Sequence, residues 1–131
     1  MAQSDIDVVC GSHDAFRRRD LDAFVGYMDP EIEFSSLVLE VEGTYRGLDG
    51  IRSWWRDILE VFPDWQPQVE DARQVGERVL LKVRAEGAGT GSGIDVDRAI
   101  WQVAKVRDGR IAAWRFFRTE DEALAAAARS G

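Results

Sequence analysis

The order of patterns along this 131-residue chain predicts an α+β domain. Two observations carry the prediction. Apolar residues recur at helical spacing in the first part of the chain, and from Gln68 onward β-formers alternate between turn signals. A third, the pair Asp108-Gly109, marks a two-residue hairpin between the last two strands. The length suits a single domain spanning residues 1–131.

Ser4 can cap a first helix from about Ile6 to Arg19, with Asp7 completing a capping-box variant. Its apolar stripe is Ile6, Val9, Cys10, His13 and Phe16. Asp20 opens a short second helix, Leu21 to Met28, which Asp29-Pro30 ends. A strand follows from Ile32 to Val41, then the short extended piece "GTYRG". Asp49 caps a third helix through Ile51, Trp54, Trp55, Ile58 and Leu59, which stops before Pro63. Strands are expected over Gln68–Val75, Arg78–Glu86, Ile94–Arg107 and Arg110–Arg118, with "GAGTGSG" as a loop. Thr119 and Glu122 form a capping box for a short Ala-rich helix at the C-terminus.

Composition excludes several classes. Hydrophobic residues make up 45% and charged residues 31%, as in soluble globular proteins. A formal net charge of -7 argues against nucleic acid, whose phosphates call for basic surfaces. The run Arg17, Arg18, Arg19 is read locally, as cations suited to the end of a helix. Cys10 is the sole cysteine, so no disulfide forms within the chain, which fits a reducing compartment. Residues 1–20 hold no long apolar run and no stretch is long enough for a membrane span, so a cytoplasmic location is expected. One histidine and one cysteine give no usual metal-ligand spacing, and "GAGTGSG" lacks the lysine of a phosphate loop. No cofactor is expected.

A strict two-residue turn at Asp108-Gly109 sets a register in which Arg107 faces Arg110. Val103 then opposes Trp114, Trp101 opposes Phe116, and Ala99 opposes Arg118, all on one face. This aromatic wall is either plain core or the lining of a concave pocket for a small hydrophobic molecule. Arg118, at its edge, either snorkels to solvent or offers a cation to the pocket. The opposite face pairs Ala104 with Ala113, Gln102 with Arg115 and Ile100 with Phe117. Its mixed character suits a homodimer interface.

The segments "RRDLDAFVGYMDPEIEF", "GTYRGLDGIRSWWRDI" and "VAKVRDGRIAAWRFF" resemble the SnoaL-like proteins of the superfamily of ketosteroid isomerase, limonene epoxide hydrolase and nuclear transport factor two. The resemblance implies a cone: a strongly bent, mainly antiparallel mixed sheet wrapped by three N-terminal helices, commonly dimeric through its outer face. It does not carry the isomerase chemistry across. Matching puts Ser36 where the isomerase base would stand, Ser12 at its tyrosine and Trp101 at its acidic donor. A carboxylate of the epoxide hydrolase falls at Phe116, and its remaining polar groups fall near Val83 and Ala85. Trp55 stands where a tyrosine joins the isomerase network.

The polar groups left for the cone are few. His13, on the apolar stripe, is the candidate general base or, alternatively, a buried structural histidine. Ser36 shares a strand face with Phe34 and reads as pocket lining, since nothing nearby would activate a nucleophile. Trp54 and Trp55 point to different helix faces. Asp97 and Glu120 are expected to pair near Arg118, and Arg84 and Glu86 to face outward. The expected site is thus His13 with Ser36, Phe34, Trp55, Trp101, Val103, Trp114, Phe116 and Arg118. The expected function is that of a pocket protein acting on a hydrophobic oxygenated metabolite as a lyase, isomerase or cyclase. The alternatives are a non-catalytic binder and a protein-interaction module.

Overall fold

The computed structural model describes residues 4–38, 41–88 and 95–128. Helices α1 (Asp5–Arg17) and α2 (Leu21–Gly26) lead into β1 (Met28–Val38) and β2 (Val41–Arg46). Helix α3 (Gly47–Val61) follows, then β3 (Gln66–Val75), β4 (Arg78–Ala88), β5 (Asp95–Arg107), β6 (Arg110–Phe117) and helix α4 (Glu120–Ala128). One six-stranded sheet runs in the order β2-β1-β6-β5-β4-β3. Only β1 and β6 pair in parallel, so the α+β, mainly antiparallel mixed sheet expected from the sequence is the one observed.

The caps follow from side-chain chemistry. Ser4 Oγ accepts from Asp7 N at 3.2 Å, and Asp20 Oδ1 from Ala23 N at 3.1 Å. Thr119 caps α4, its Oγ1 accepting from Glu122 N at 3.2 Å, while its hydroxyl donates to Glu122 Oε1 at 3.0 Å in place of the backbone bond of a full capping box. Two local readings change. Helix α3 begins at Gly47, with no side-chain cap, so Asp49 lies inside its first turn. Asp29-Pro30 lies within β1 rather than closing a helix. There Asp29 Oδ1 accepts from Glu31 N at 2.8 Å, a local turn that lets the pairing with β6 skip from Met28 to Glu33.

The β5–β6 hairpin turns as expected. Asp108 and Gly109 adopt φ of 53° and 77°, the left-handed pair of a two-residue turn, and Arg107 pairs with Arg110. The register then shifts. Val106 pairs with Ile111 but Lys105 pairs with Ala113, so Ala112 is an extra residue on β6. Beyond it Trp114 sits beside Ala104, Phe116 beside Gln102, and Phe117 beside Trp101. Because side chains alternate, this one-residue slip exchanges the two faces of β5.

The expected interface residues Ile100, Gln102 and Ala104 therefore face the core, 5%, 3% and 0% exposed. Trp101 and Val103, expected in the pocket, lie on the other side. There they share a small cluster with Leu80, Phe117 and the alanines of α4. Helix α4 thus covers part of the outer sheet face with the chain's own residues, while Arg115 stays exposed. The main core fills the concave side, between the sheet and α1, α2 and α3.

Leu80 is 1% exposed beneath α4. Leu80→Ala is expected to cost about 3 kcal/mol in urea unfolding. A cost below about 1 kcal/mol would mean that α4 does not bury this patch in solution.

Candidate functional site

Helix α1 lays His13 and Phe16 across the concave face of the sheet, where β6 presents Trp114 and Phe116 and β1 presents Phe34. Phe24, Trp54 and Trp65 close the remaining sides with the apolar ends of β3, β4 and β5. Ring edges meet faces where Phe34 packs against Trp114 at 5.6 Å and against Phe116 at 5.4 Å, while Phe24 stacks on Trp54 at 6.1 Å. The cavity that remains is about 20 Å3, room for roughly one water molecule.

Two of its lining residues are polar, and they are bonded to each other. The indole N–H of Trp114 donates to Gln102 Oε1 at 2.9 Å. His13 Nε2 lies 3.0 Å from the same oxygen. Indole nitrogen is a donor only, so the atom facing Trp114 is the amide oxygen of Gln102. That oxygen can only accept, so His13 carries its proton on Nε2. The lone pair of the neutral ring is then on Nδ1. His13 also meets the Trp114 ring edge-on, at 5.1 Å between centroids.

Burial pushes the His13 imidazole down to about 4, an effect its hydrogen bond to Gln102 partly offsets. The ring is therefore neutral at physiological pH. Neither His13 Nδ1 nor the Gln102 amide nitrogen hydrogen-bonds to another described group. Among the described residues no buried polar side-chain atom is left without a partner, so both atoms meet accessible space.

The structure brings together His13, Phe34, Trp114 and Phe116 from the expected site. Ser36 lies just behind the lining, where its Oγ accepts from Trp54 Nε1 at 3.2 Å. It is Trp54, not Trp55, that lines the cavity; Trp55 packs on Phe16 and Phe24 at 4.7 and 5.2 Å. Ser12, also buried, donates to Val9 O at 2.7 Å within its own helix. Trp101 and Val103 lie under α4, and Arg118 is exposed just past the end of β6. Arg84 and Glu86 pair at 3.6 Å, both partly exposed. The side chain of Asp97 lies outside the described residues. Gln102 is the lining residue that strict alternation assigns to the wrong face. A signal for it existed: Ile111, Trp114 and Phe116 cannot share one face unless a residue between Ile111 and Trp114 is bulged.

Arg19, read from sequence as a helix-end cation, has a longer reach. Its guanidinium donates to Phe16 O at 3.1 Å and to Trp65 O at 2.6 Å, and stacks over the Phe16 ring at 4.8 Å. It ties the end of α1 to the turn that carries Trp65. A wider cleft of about 230 Å3 lies between α2, α3 and the start of β6, edged by Asp22, Arg52 and Arg110. Its charged groups are exposed, whereas the polar pair of the core cavity is buried. Among the described residues no cluster of His, Cys, Asp and Glu could hold a metal ion, and no helix is long and apolar enough to cross a membrane.

A bent sheet closed by helices around an aromatic-lined cavity defines the nuclear transport factor two-like cone, and solved structures with this fold are similar to the chain. One from Burkholderia thailandensis is 22% identical, with a TM-score of 0.80, covering 98% of this chain and 99% of that one. A putative polyketide cyclase from Sinorhizobium meliloti is 20% identical, with a TM-score of 0.72 and coverage of 85% and 94%. TerC, co-crystallised with polyporic acid, is 19% identical, with a TM-score of 0.75 and coverage of 95% and 98%. The SnoaL-like domain matches residues 11–114, and the chain belongs to that family. No curated protein resembles it in sequence.

The buried histidine makes stability depend on pH. The unfolded chain protonates His13 near 6.5, while the folded chain resists until about 4. Between those values the unfolded state binds more protons, so folding weakens as the pH falls. The contribution is intact above 6.5 and lost toward 4, by on the order of 3 kcal/mol. Urea unfolding of wild type and His13→Phe across this range checks it. The stability difference between them is expected to shift by that amount, and a constant difference would refute the burial effect.

Proposed function

We propose that the cone binds a small, uncharged, apolar oxygenated metabolite and that His13 acts on it as a general base in a lyase, isomerase or cyclase reaction. One observation carries the reading: a neutral histidine, held in a single tautomer by Gln102, on the wall of an otherwise aromatic cavity. Two similar folds support the substrate class, one described as a putative polyketide cyclase and one co-crystallised with polyporic acid.

A base that protonates at about 4 is fully in its base form at neutral pH, yet it is a weak base. It suits a substrate whose C–H or O–H is itself acidic. Anything larger than water enters by moving lining rings, so a flat molecule that replaces ring–ring contacts is favoured.

The low proton affinity of His13 and the tight cavity also favour a second reading, a binder without turnover. A panel of ketones, phenolics, lactones, epoxides and quinones decides between them. A ligand at a hundred times its Kd adds about 2.7 kcal/mol, visible as a higher Tm. Turnover of the ligand that binds is expected, and His13→Phe is expected to lower kcat by about 100-fold or more while the ligand still raises Tm. Binding without turnover would establish the second reading. Turnover that survives the substitution would remove His13 from the chemistry.

A further inference from the structure

We infer that the cleft between α2, α3 and the start of β6 is a second binding site, built for a small carboxylic acid with an apolar body, whose carboxylate is gripped by Arg52 and Arg110. The inference stands apart from the reading of His13. The cleft shares no lining residue with the core cavity, and it measures about 230 Å3 against about 20 Å3.

The cleft follows from a gap in the sheet. Pairing of β1 with β6 stops after Met28 and Ile111 and resumes only at Glu33 and Ala113. Helices α2 and α3 approach that gap without filling it. Asp22 and Val25 share one face of α2, and Leu48 and Arg52 share one face of α3, by spacings of three and four residues. The floor is apolar: Met28 is 2% exposed, Val25 is buried and Leu48 is half-buried. Gly26 also lines the cleft, and a side-chain carbon there would meet nothing within 4 Å, so the space is open. Phe24, one residue before Val25, lines the core cavity, so α2 is the wall between the two spaces.

The rim carries two arginines against one carboxylate, Asp22. The Arg110 guanidinium has no hydrogen bond or ion pair among the described residues. Asp29, whose charge it meets, is already bonded to Arg107 at 3.4 Å and to Glu31 N at 2.8 Å. Arg52 holds Asp49 at 3.5 Å, but that carboxylate is fully exposed and such a pair contributes little. Both guanidiniums are therefore available to a ligand, and a guanidinium matches a carboxylate with two parallel N–H bonds. Three rim charges summing to one positive charge favour a monoanion. A phosphate dianion meets Asp22 and leaves the apolar floor wet. A neutral apolar molecule leaves both arginines unused, and a cation meets two like charges.

The probe is phenylacetate, with phenylacetamide as its neutral counterpart, phenethylammonium as a cation and inorganic phosphate as an anion without an apolar body. Nuclear magnetic resonance follows the methyl groups of Val25, Met28 and Leu48 for the cleft and the indole N–H of Trp114 for the core cavity. We expect phenylacetate to shift the cleft methyl groups and leave Trp114 unmoved. The other three compounds are each expected to bind at least about tenfold more weakly. Arg52→Gln and Arg110→Gln are each expected to weaken phenylacetate by about threefold or more, and Asp22→Asn to tighten it by about twofold. All three side chains are exposed, and the opposite signs separate charge recognition from a change of fold.

Cleft methyl groups unmoved by phenylacetate at about 20 mM overturn the site. Shifts at Trp114 without shifts at Val25 and Leu48 put the acid in the core cavity and overturn it too. Phenylacetamide or phosphate binding within about twofold of phenylacetate overturns the carboxylic-acid class. Arginine variants that both bind like wild type overturn the grip of Arg52 and Arg110.

Discussion

One oxygen atom organises the interior of this protein. Gln102 Oε1 accepts from an indole on β6 and an imidazole on α1, and so joins the two walls of the cone by two short bonds inside an aromatic core. A buried amide oxygen without partners would cost several kcal/mol, and so would an unbonded indole or imidazole N–H. Together the three groups satisfy one another, and that mutual dependence fixes their orientations. The tautomer of His13, the rotation of the Gln102 amide and the placement of Trp114 are consequences of one constraint. Aromatic packing alone fixes volume but not direction, since rings tolerate many tilts.

The node also explains why the site is quiet electrostatically. In a chain with a net charge of -7, the core cavity has no ionic lining group, and its histidine is held neutral by burial. The proposed chemistry rests on hydrogen-bond direction and on exclusion of water, not on a charged partner for the substrate. The positions where the isomerases carry ionisable groups hold Ser36, bonded to Trp54, and Ser12, bonded to its own helix. Both serve the frame around the cavity.

Much of this was legible in the chain. Caps at Ser4, Asp20 and Thr119, the Asp108-Gly109 turn and the inward stripe of α1 all rest on local chemistry, and each is where its residues point. His13 was legible for the same reason, because helical spacing carries it next to Phe16. The faces of β5 were not. Alternation is a parity, and one extra residue at Ala112 reverses it for every residue beyond. Two adjacent alanines give no preference for either side, so the slip shows in the sequence only through the odd spacing of Ile111 from Trp114 and Phe116. The reversal hid Gln102 on a supposed outer face and promoted Trp101 and Val103 to a pocket that they back from behind. Trp55 differs for another reason: expected at the site, it packs against Phe16 and Phe24, one ring removed from the cavity.

Arg19 gives the cone a mechanical property. Its positive φ of 58° ends α1, and its side chain holds the carbonyls of Phe16 and Trp65 together, with Pro63 O at 3.5 Å. The helix bearing His13 and the turn bearing Trp65 are thereby laced into one rigid piece. Widening the cavity by tilting α1 carries Trp65 with it, so the imidazole and the indole on that side travel as a unit. The facing wall of β1 and β6 has sheet hydrogen bonds to hold it still. A cone laced in this way can open at that side only by breaking the Arg19 bonds or by moving the imidazole and the indole together.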